Sequence, residues 1–271
     1  MTLKERIGII GVGRMGGALA NSLVSSGLVG PAALIVYDKD EVKLTQLADK
    51  NIKLAQSGEQ TAKASDAIIL AVKPAEAGIV LREIQAALAG KLVISIAAGL
   101  PTAWISGIVP EARVIRVMPN TPLLLREGAT AYSLGIGATE DDGRLVENIF
   151  SAVGVVYRVD ERLLDAVTGL SGSGPAYFYQ AIDAMAKEGA QQGIPLDIAL
   201  KLAAQTAVGA GKMILQTGKN PEELTAMVAS PGGTTVEGLL VLSDRQVQQA
   251  FAEAVKAATE RSKKLGSQQT K

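Results

Sequence analysis

Short apolar runs recur along the first 160 residues, and stretches with helical spacing separate one run from the next. The runs are rich in β-branched residues, which is typical of strands that are buried on both faces of a parallel sheet. Strands are predicted at 7–10, 34–37, 67–72, 92–96, 113–118, 128–133 and 155–159. Helices are predicted at 18–24, 41–50, 75–88, 101–108 and 138–153. This alternation predicts a doubly wound α/β domain.

The strand pattern stops near residue 160, and the rest of the chain has only helical spacing. Helices are predicted at 161–169, 175–192, 195–217, 221–229, 235–243 and 244–264. These helices are rich in alanine and other small residues, so we expect them to pack closely against a second copy of the chain. The chain is therefore predicted to divide into an α/β domain at 1–160 and an all-α dimerisation domain at 161–271.

A glycine-rich loop directly follows the first predicted strand. Gly11, Gly13 and Gly16 have the spacing G-x-G-x-x-G and precede a helical stretch. Such glycines permit a tight turn, the close approach of a pyrophosphate and close helix–strand packing, while the helix start offers free N–H groups to phosphate. We therefore predict a Rossmann-type domain that binds NAD or NADP. The cofactor-binding residues of the loop are predicted to be Gly11, Val12, Gly13, Arg14, Met15 and Gly16.

Asp38 ends the second predicted strand, at the distance from the glycine loop where an acidic residue accepts hydrogen bonds from a ribose. A carboxylate at this position repels a 2′-phosphate and favours NADH, whereas the neighbouring Lys39 favours NADPH. Both cofactors therefore stay open. The alternative is that residues 38–40 form a turn that caps the next helix.

Further cofactor contacts are predicted where other strands end, because ligands of open α/β sheets lie at the carboxyl ends of the strands. These residues are Ala71, Val72, Lys73, Pro74, Ala97 and Asn120. Lys73 has two interpretations, contact with a phosphate or exposure to solvent. Asn120 either forms hydrogen bonds with a ligand amide or makes an Asx turn, and its position at a strand end favours the ligand.

Composition excludes several classes of chemistry. The chain has no cysteine and no histidine, so disulfides, thiol nucleophiles, histidine acid–base catalysis and Cys/His zinc sites are excluded, and no metal site is predicted. Its net charge is zero, which gives nucleic-acid binding little support. The start of the chain is polar and lacks a signal peptide or membrane helix pattern, so we expect no membrane partner and a cytoplasmic location.

Two segments of the second half are far more specific than the glycine loop. Residues 165–177 (DAVTGLSGSGPAY) and 224–239 (LTAMVASPGGTTVEGL) resemble motifs of the pyrroline-5-carboxylate reductase family, as do residues 71–74, 95–99 and 118–122. The resemblance implies a Rossmann domain, a helical dimerisation domain and a homodimer or higher homo-oligomer. It also implies NAD(P)H-dependent reduction of 1-pyrroline-5-carboxylate, a cyclic imine, to proline in the last step of proline biosynthesis. The acidic residues after the second strand depart from many members, which weakens the case for strict NADPH preference.

The loop before residue 235 suits a substrate carboxylate. Its small residues allow close approach, and Thr234 with Glu237 has capping-box spacing, so backbone N–H groups are expected at a helix start. The resemblance places Thr235 near the imine nitrogen as the catalytic hydroxyl, and a purely structural role in the cap is the alternative. The predicted substrate-binding residues are Ser230, Gly232, Gly233, Thr234, Ser171 and Gly172. The last two have two interpretations, lining the pocket or only turning the chain between domains, and we expect both roles.

Two other classes of function fit parts of the pattern. A Rossmann reductase of the 3-hydroxyacid dehydrogenase type relies on a lysine or histidine acid–base group, but histidine is absent and Lys187 and Lys212 lack a supporting motif. A non-catalytic nucleotide sensor on the same fold is disfavoured by the intact SPGGTT segment. The sequence therefore favours the reductase.

Overall fold

The computed structural model describes residues 2–48 and 50–269. Residue 49 of the predicted helix 41–50 lies outside these ranges, as do residues 1, 270 and 271 at the ends of the predicted domains. The chain forms two compact units, one of Met1–Ser173 with Ala257–Lys271 and one of Gly174–Lys256. The functional boundary near residue 160 stays a prediction.

The first unit is built around an eight-stranded sheet with the order β3-β2-β1-β4-β5-β6-β7-β8. The strands are β1 Ile7–Ile10, β2 Leu34–Tyr37, β3 Lys53–Leu54, β4 Ala67–Leu70, β5 Leu92–Ser95, β6 Arg113–Met118, β7 Gly128–Leu134 and β8 Gly154–Arg158. Neighbouring strands are parallel except for β6 and β7, which are antiparallel. The doubly wound class is confirmed, and the reversal at β7 was not predicted.

Within the described ranges, eight α-helical segments belong to the same unit as this sheet. They are α1 Arg14–Ser25, α2 Glu41–Ala48, α3 Gly58–Ala64, α4 Pro74–Ile84, α5 Thr102–Ile108, α6 Glu140–Ser151, α7 Leu164–Val167 and the end of the last helix, Val247–Gln269. All seven predicted strands are confirmed to within two residues at each end. The short strand β3 and the helix α3 were missed, because a two-residue strand is too short to show a period and α3 is mostly polar.

Alternation along the strands places the core on both faces of the sheet. In β4, Ala67 and Ile69 join one buried apolar cluster, while Ile68 and Leu70 join another. Successive side chains of a strand point to opposite faces, so a strand that is covered by helices on both sides is apolar at every position. This burial holds the carboxyl ends of β1, β2 and β4 in fixed register.

A buried ion pair attaches the end of the chain to the sheet unit. Arg116 of β6 is buried and its Nη2 lies 2.9 Å from Asp165 Oδ1. The Ser262 hydroxyl donates to the same carboxylate oxygen at 2.8 Å, and Gly99 and Gly266 approach so closely that a Cβ on Gly266 would lie 2.3 Å from the Gly99 oxygen. These contacts explain why residues after 256 belong to the first unit although the helix begins in the second.

The second unit consists of helices only. They are α8 Gly174–Gln191, α9 Leu196–Thr217, α10 Pro221–Val228, α11 Thr234–Asp244 and the first part of α12, Val247–Gln269. Its buried apolar cluster is formed by Ala186, Ala199 and Ala203, and many of its large apolar side chains are exposed. By length and hydropathy alone, one helix of the described chain, α9, is long and apolar enough to cross a membrane.

Candidate active site

The three glycines of the loop after β1 serve three different purposes. Gly11 has φ of 98°, and a Cβ there would lie 2.6 Å from the Ala71 oxygen. A Cβ on Gly16 would lie 1.9 Å from the Gly11 oxygen, so this glycine allows the helix to pack against the loop. Gly13 has no atom within 4 Å of its Cβ position. Open space at Gly13 is what a loop needs to receive a pyrophosphate, so the loop fits a dinucleotide.

A cavity of about 370 Å³ opens beside this loop at the carboxyl ends of β1, β2 and β4. Its lining residues are Ile10, Gly11, Gly13, Tyr37, Asp38, Lys39, Lys43, Ala71, Val72, Lys73, Glu76, Ile79, Val80 and Glu83. Six predicted cofactor residues are therefore brought together. The mixture of apolar walls and charged groups suits the adenosine half of a dinucleotide.

The other predicted cofactor residues lie elsewhere. Val12 and Arg14 line a neighbouring cavity of about 400 Å³ that also includes Gly13. Gly16 is buried, Met15 packs against the core, and Ala97 is buried in the core. Pro74 is the first residue of α4. Proline is well suited to that position because its missing N–H would be unsatisfied there in any case.

Asp38 is almost fully buried and both of its carboxylate oxygens are engaged. Oδ2 accepts from the Val12 N–H at 2.7 Å, while Oδ1 accepts from the Asp40 N–H at 2.9 Å and from Lys43 Nζ at 3.2 Å. Burial alone would raise the pKa of Asp38, but the two backbone N–H groups and the Lys43 ammonium together lower it. Asp38 thus fixes the glycine loop as well as facing the cavity. The capping role falls to Asp40, which accepts from the Val42 N–H at the start of α2.

Sequence reasoning missed the cavity residues of α2 and α4. Glu76, Val80 and Glu83 recur at helical spacing and share one face of α4. That period was visible in the sequence, but only the fold shows that this face turns toward the strand ends. Lys43 was missed in the same way on α2. Glu76 Oε1 lies 2.5 Å from Lys39 Nζ, so the lysine that was predicted to attract NADPH is paired with an acid.

Asn120 is bonded at both ends of its amide to the protein backbone. Its Nδ2 donates to the Ser171 oxygen at 3.0 Å, and its Oδ1 accepts from the Ala129 N–H at 2.8 Å. An Asx turn would use a residue two positions away, so the turn interpretation is wrong. Asn120 joins the end of β6 to the segment that contains Ser171, and it lies outside the lining of the cavity described above.

The segment with Ser171 and Gly172 is helical, and the expectation that it turns the chain between domains is wrong. Thr168–Gly172 forms a π-helical turn, with the Ser173 N–H donating to the Thr168 oxygen at 2.8 Å. A Cβ on Gly172 would lie 2.5 Å from Met118 Cε, so glycine permits close packing. Single π turns inside helices are frequent at functional sites.

The loop before α11 is a tight turn. The Gly233 N–H donates to the Ser230 oxygen at 2.9 Å, and Gly232 has φ of 71°. Pro231 at the second position and a positive φ at the third define a type II turn. The predicted capping box is wrong, because Gly233 is the N-cap and Thr234 is already the first helical residue. The turn nevertheless ends at a helix start, where first-turn N–H groups lack helical acceptors.

Thr235 is the second residue of α11 and is partly exposed. Within the described ranges, no hydrogen bond is found for its hydroxyl, which leaves the group available to a ligand. The cap role that was its alternative is not observed, since the N-cap has no side-chain hydrogen bond.

Two family models match the chain. Pyrroline-5-carboxylate reductase dimerisation matches residues 161–265, and NADP oxidoreductase, coenzyme F420-dependent, matches residues 6–99. The first covers the helices with the turn and Thr235, and the second covers the glycine loop and the cavity. Each half of the protein is therefore matched by a family model of its own.

Similar proteins support the same assignment over nearly the whole chain. A pyrroline-5-carboxylate reductase of Methanosarcina acetivorans is 43% identical over 97% of this chain and 98% of its own length. One of Arabidopsis thaliana is 39% identical over 96% and 95%. The crystal structure of Plasmodium falciparum pyrroline carboxylate reductase with NADP bound is 31% identical, covers 98% of this chain and all of its own, and has a TM-score of 0.90.

The residues, the fold and the relatives agree on an NAD(P)H-dependent oxidoreductase that acts on a C=N bond and carries out the last step of proline biosynthesis. The 3-hydroxyacid dehydrogenase and nucleotide-sensor interpretations are set aside. This chain belongs to the pyrroline-5-carboxylate reductase family.

Proposed function

We propose that the two units divide the reduction of 1-pyrroline-5-carboxylate between them, the first binding NADH or NADPH and the second binding the imine. The observation that carries this proposal is the open space at Gly13 beside a cavity that contains Asp38 and Lys73. When bound, the reduced nicotinamide supplies the hydride. Gly11–Gly16 and the start of α1 hold its pyrophosphate, because helix N-termini stabilise phosphate.

The type II turn at Ser230–Gly233 holds the carboxylate of the substrate. The N–H groups of Thr234 and Thr235 come before the first backbone hydrogen bond of α11, which Val236 donates to the Gly233 oxygen, and the positive end of the helix dipole favours an anion. Gly232 and Gly233 carry no side chain, which allows the carboxylate to approach the backbone. Binding through a fixed backbone orients the ring and removes much of the entropic cost of the reaction.

Thr235 acts at the imine nitrogen. A threonine hydroxyl has too high a pKa to serve as a free acid near neutral pH, so its function is to hydrogen-bond the nitrogen and to pass on a proton from water. A positioned proton donor typically contributes 10²–10⁴-fold to rate.

The second unit works as part of a homodimer or a higher homo-oligomer. Its three buried alanines cannot form a stable core, whereas its exposed apolar side chains give a large surface for a second copy. The apolar character of α9 is explained by this interface, so no membrane is needed. Zero net charge disfavours nucleic-acid partners, and the location is cytoplasmic.

The test is the oxidation of NADH and of NADPH, followed by absorbance, with 1-pyrroline-5-carboxylate and micromolar enzyme. We expect proline as the product and turnover with at least one of the two nucleotides. The Asn120→Asp variant tests whether the hydrogen bond between Asn120 and the π turn is needed for turnover, because a carboxylate cannot donate to the Ser171 oxygen. No oxidation of either nucleotide by the wild type would contradict the proposed function.

A further inference from the structure

The charged side chains of the cavity balance each other. Three are acidic and three are basic, namely Asp38, Glu76, Glu83, Lys39, Lys43 and Lys73. The two lysines nearest the end of β2 are already paired, because Lys39 Nζ lies 2.5 Å from Glu76 Oε1 and Lys43 Nζ lies 3.2 Å from Asp38 Oδ1. The hydrogen bond between Lys39 and Glu76 raises the pKa of the lysine and lowers the pKa of the acid, so both stay charged.

The residues at the end of β2 of a Rossmann domain distinguish NADPH from NADH. The acidic residue at this position of a Rossmann domain faces the 2′ position of the adenosine ribose, which carries a phosphate in NADPH and a hydroxyl in NADH. Lys39 directly follows Asp38, and a lysine there can neutralise the phosphate. In this protein that lysine is held by an acid from another helix, α4.

We propose that Glu76 sets the preference between NADH and NADPH, because it holds Lys39 in an ion pair and adds a negative charge beside the 2′ position. This inference rests on the nucleotide site proposed above. NADH leaves the ion pair intact. NADPH must replace Glu76 as the partner of Lys39 while its phosphate remains close to a carboxylate.

The size of the effect follows from exposure. The Lys39 side chain is 73% exposed, and ion pairs of this kind contribute little because water and salt screen them. Glu76 is therefore expected to shift the preference by about two- to fivefold rather than to exclude NADPH. Asp38 acts differently, since its carboxylate also holds the glycine loop and its loss affects both nucleotides.

The experiment measures dissociation constants of NADH and NADPH by nucleotide fluorescence, without substrate, in the full-length wild type and in Glu76→Gln. We expect NADPH to bind about two- to fivefold more tightly in the variant, with the NADH constant changed by less than about twofold. Glu83→Gln is the matched control, because it removes the same charge from the same face of α4, two turns further along. It should change the NADPH-to-NADH ratio much less.

A double-mutant cycle with Lys39→Ala separates the ion pair from general repulsion. We expect Lys39→Ala to weaken NADPH selectively and to abolish most of the gain from Glu76→Gln. An equal gain in Glu76→Gln and Glu83→Gln would overturn the role of Glu76. A full gain in the Lys39→Ala background would overturn its action through the ion pair with Lys39. If the wild type bound neither nucleotide, both this inference and the nucleotide site would fail.

Discussion

The two units of this protein use apolar residues in opposite ways. In the sheet unit, strands such as β4 are apolar at every position, and each residue is buried against helices on one face or the other. In the helical unit, α9 and α11 are rich in apolar residues, yet side chains such as Leu202, Leu215 and Val241 are exposed. Apolar residues therefore form a complete core in one unit and an incomplete one in the other.

The exposure of these side chains shows where each unit obtains its stability. Burial of apolar surface contributes roughly 25 cal/mol per Å², so the first unit has its main source of stability within one chain. The second unit must bury its exposed surface against another copy. We therefore expect nucleotide binding to survive loss of the oligomer, whereas reduction of the imine should not.

The strongest test of this comparison is Leu202→Glu on α9. A carboxylate buried without a partner costs about 3–5 kcal/mol, so the oligomer should dissociate at micromolar concentration and turnover should be lost. NADPH affinity should stay within about threefold of the wild type. Light scattering with chromatography and nucleotide titration are the measurements.

Gln205→Glu is the matched control for that variant. Gln205 is exposed and lies with Lys201 and Lys212 on the polar face of α9. The Gln205→Glu variant introduces the same charge as Leu202→Glu and should leave the oligomer intact. An unchanged oligomer in Leu202→Glu would remove this helix from the interface.

The second prediction compares two glycines in the sheet unit. A Cβ at Gly16 collides with the Gly11 oxygen, so Gly16→Ala should lower the free energy of unfolding by about 1–3 kcal/mol. Gly13→Ala meets no atom within 4 Å, so it should fold normally but bind NADPH about tenfold more weakly. Thermal unfolding and nucleotide titration distinguish the two. Normal nucleotide affinity in Gly13→Ala would mean that the phosphate lies elsewhere.

The third prediction concerns Thr235 in the helical unit. Thr235→Ala should reduce kcat about a hundredfold while NADPH affinity is retained, because the hydroxyl serves the imine and not the nucleotide. Thr235→Ser keeps the hydroxyl and should restore most of the rate. Steady-state kinetics with both variants is the measurement, and wild-type turnover in Thr235→Ala would remove the residue from the mechanism.

The smallest expected effect is the pH dependence that Asp38 contributes. Its pKa is lowered in the folded state, so its stabilisation is present above the ordinary aspartate pKa of about 3.9 and is lost as pH falls through the lower folded value. Denaturant unfolding between pH 6 and pH 3 should show this loss in the wild type and less of it in Asp38→Asn. Equal slopes for the two proteins would show that Asp38 does not contribute.

Much of the nucleotide site could be predicted because its signals are local. The spacing of Gly11, Gly13 and Gly16 predicts the conformation of the loop, and the ends of strands can be located from apolar runs. Glu76 and Lys43 could not be predicted, since they reach the cavity from helices whose orientation depends on the whole sheet. The backbone partners of Asn120 could not be predicted for a similar reason, because Ala129 and Ser171 lie 9 and 51 residues away.

The sequence alone predicts the Rossmann class, the all-helical second half, the dinucleotide loop and the family, because period, glycine spacing and motif are properties of short segments. The fold was needed to show that Asp38 holds the glycine loop, that Lys39 is paired with Glu76, and that the segment around Ser171 is a π turn. It also showed that residues after 256 return to the sheet unit. These features depend on contacts between residues that are far apart in the sequence, and a local sequence pattern does not predict such contacts.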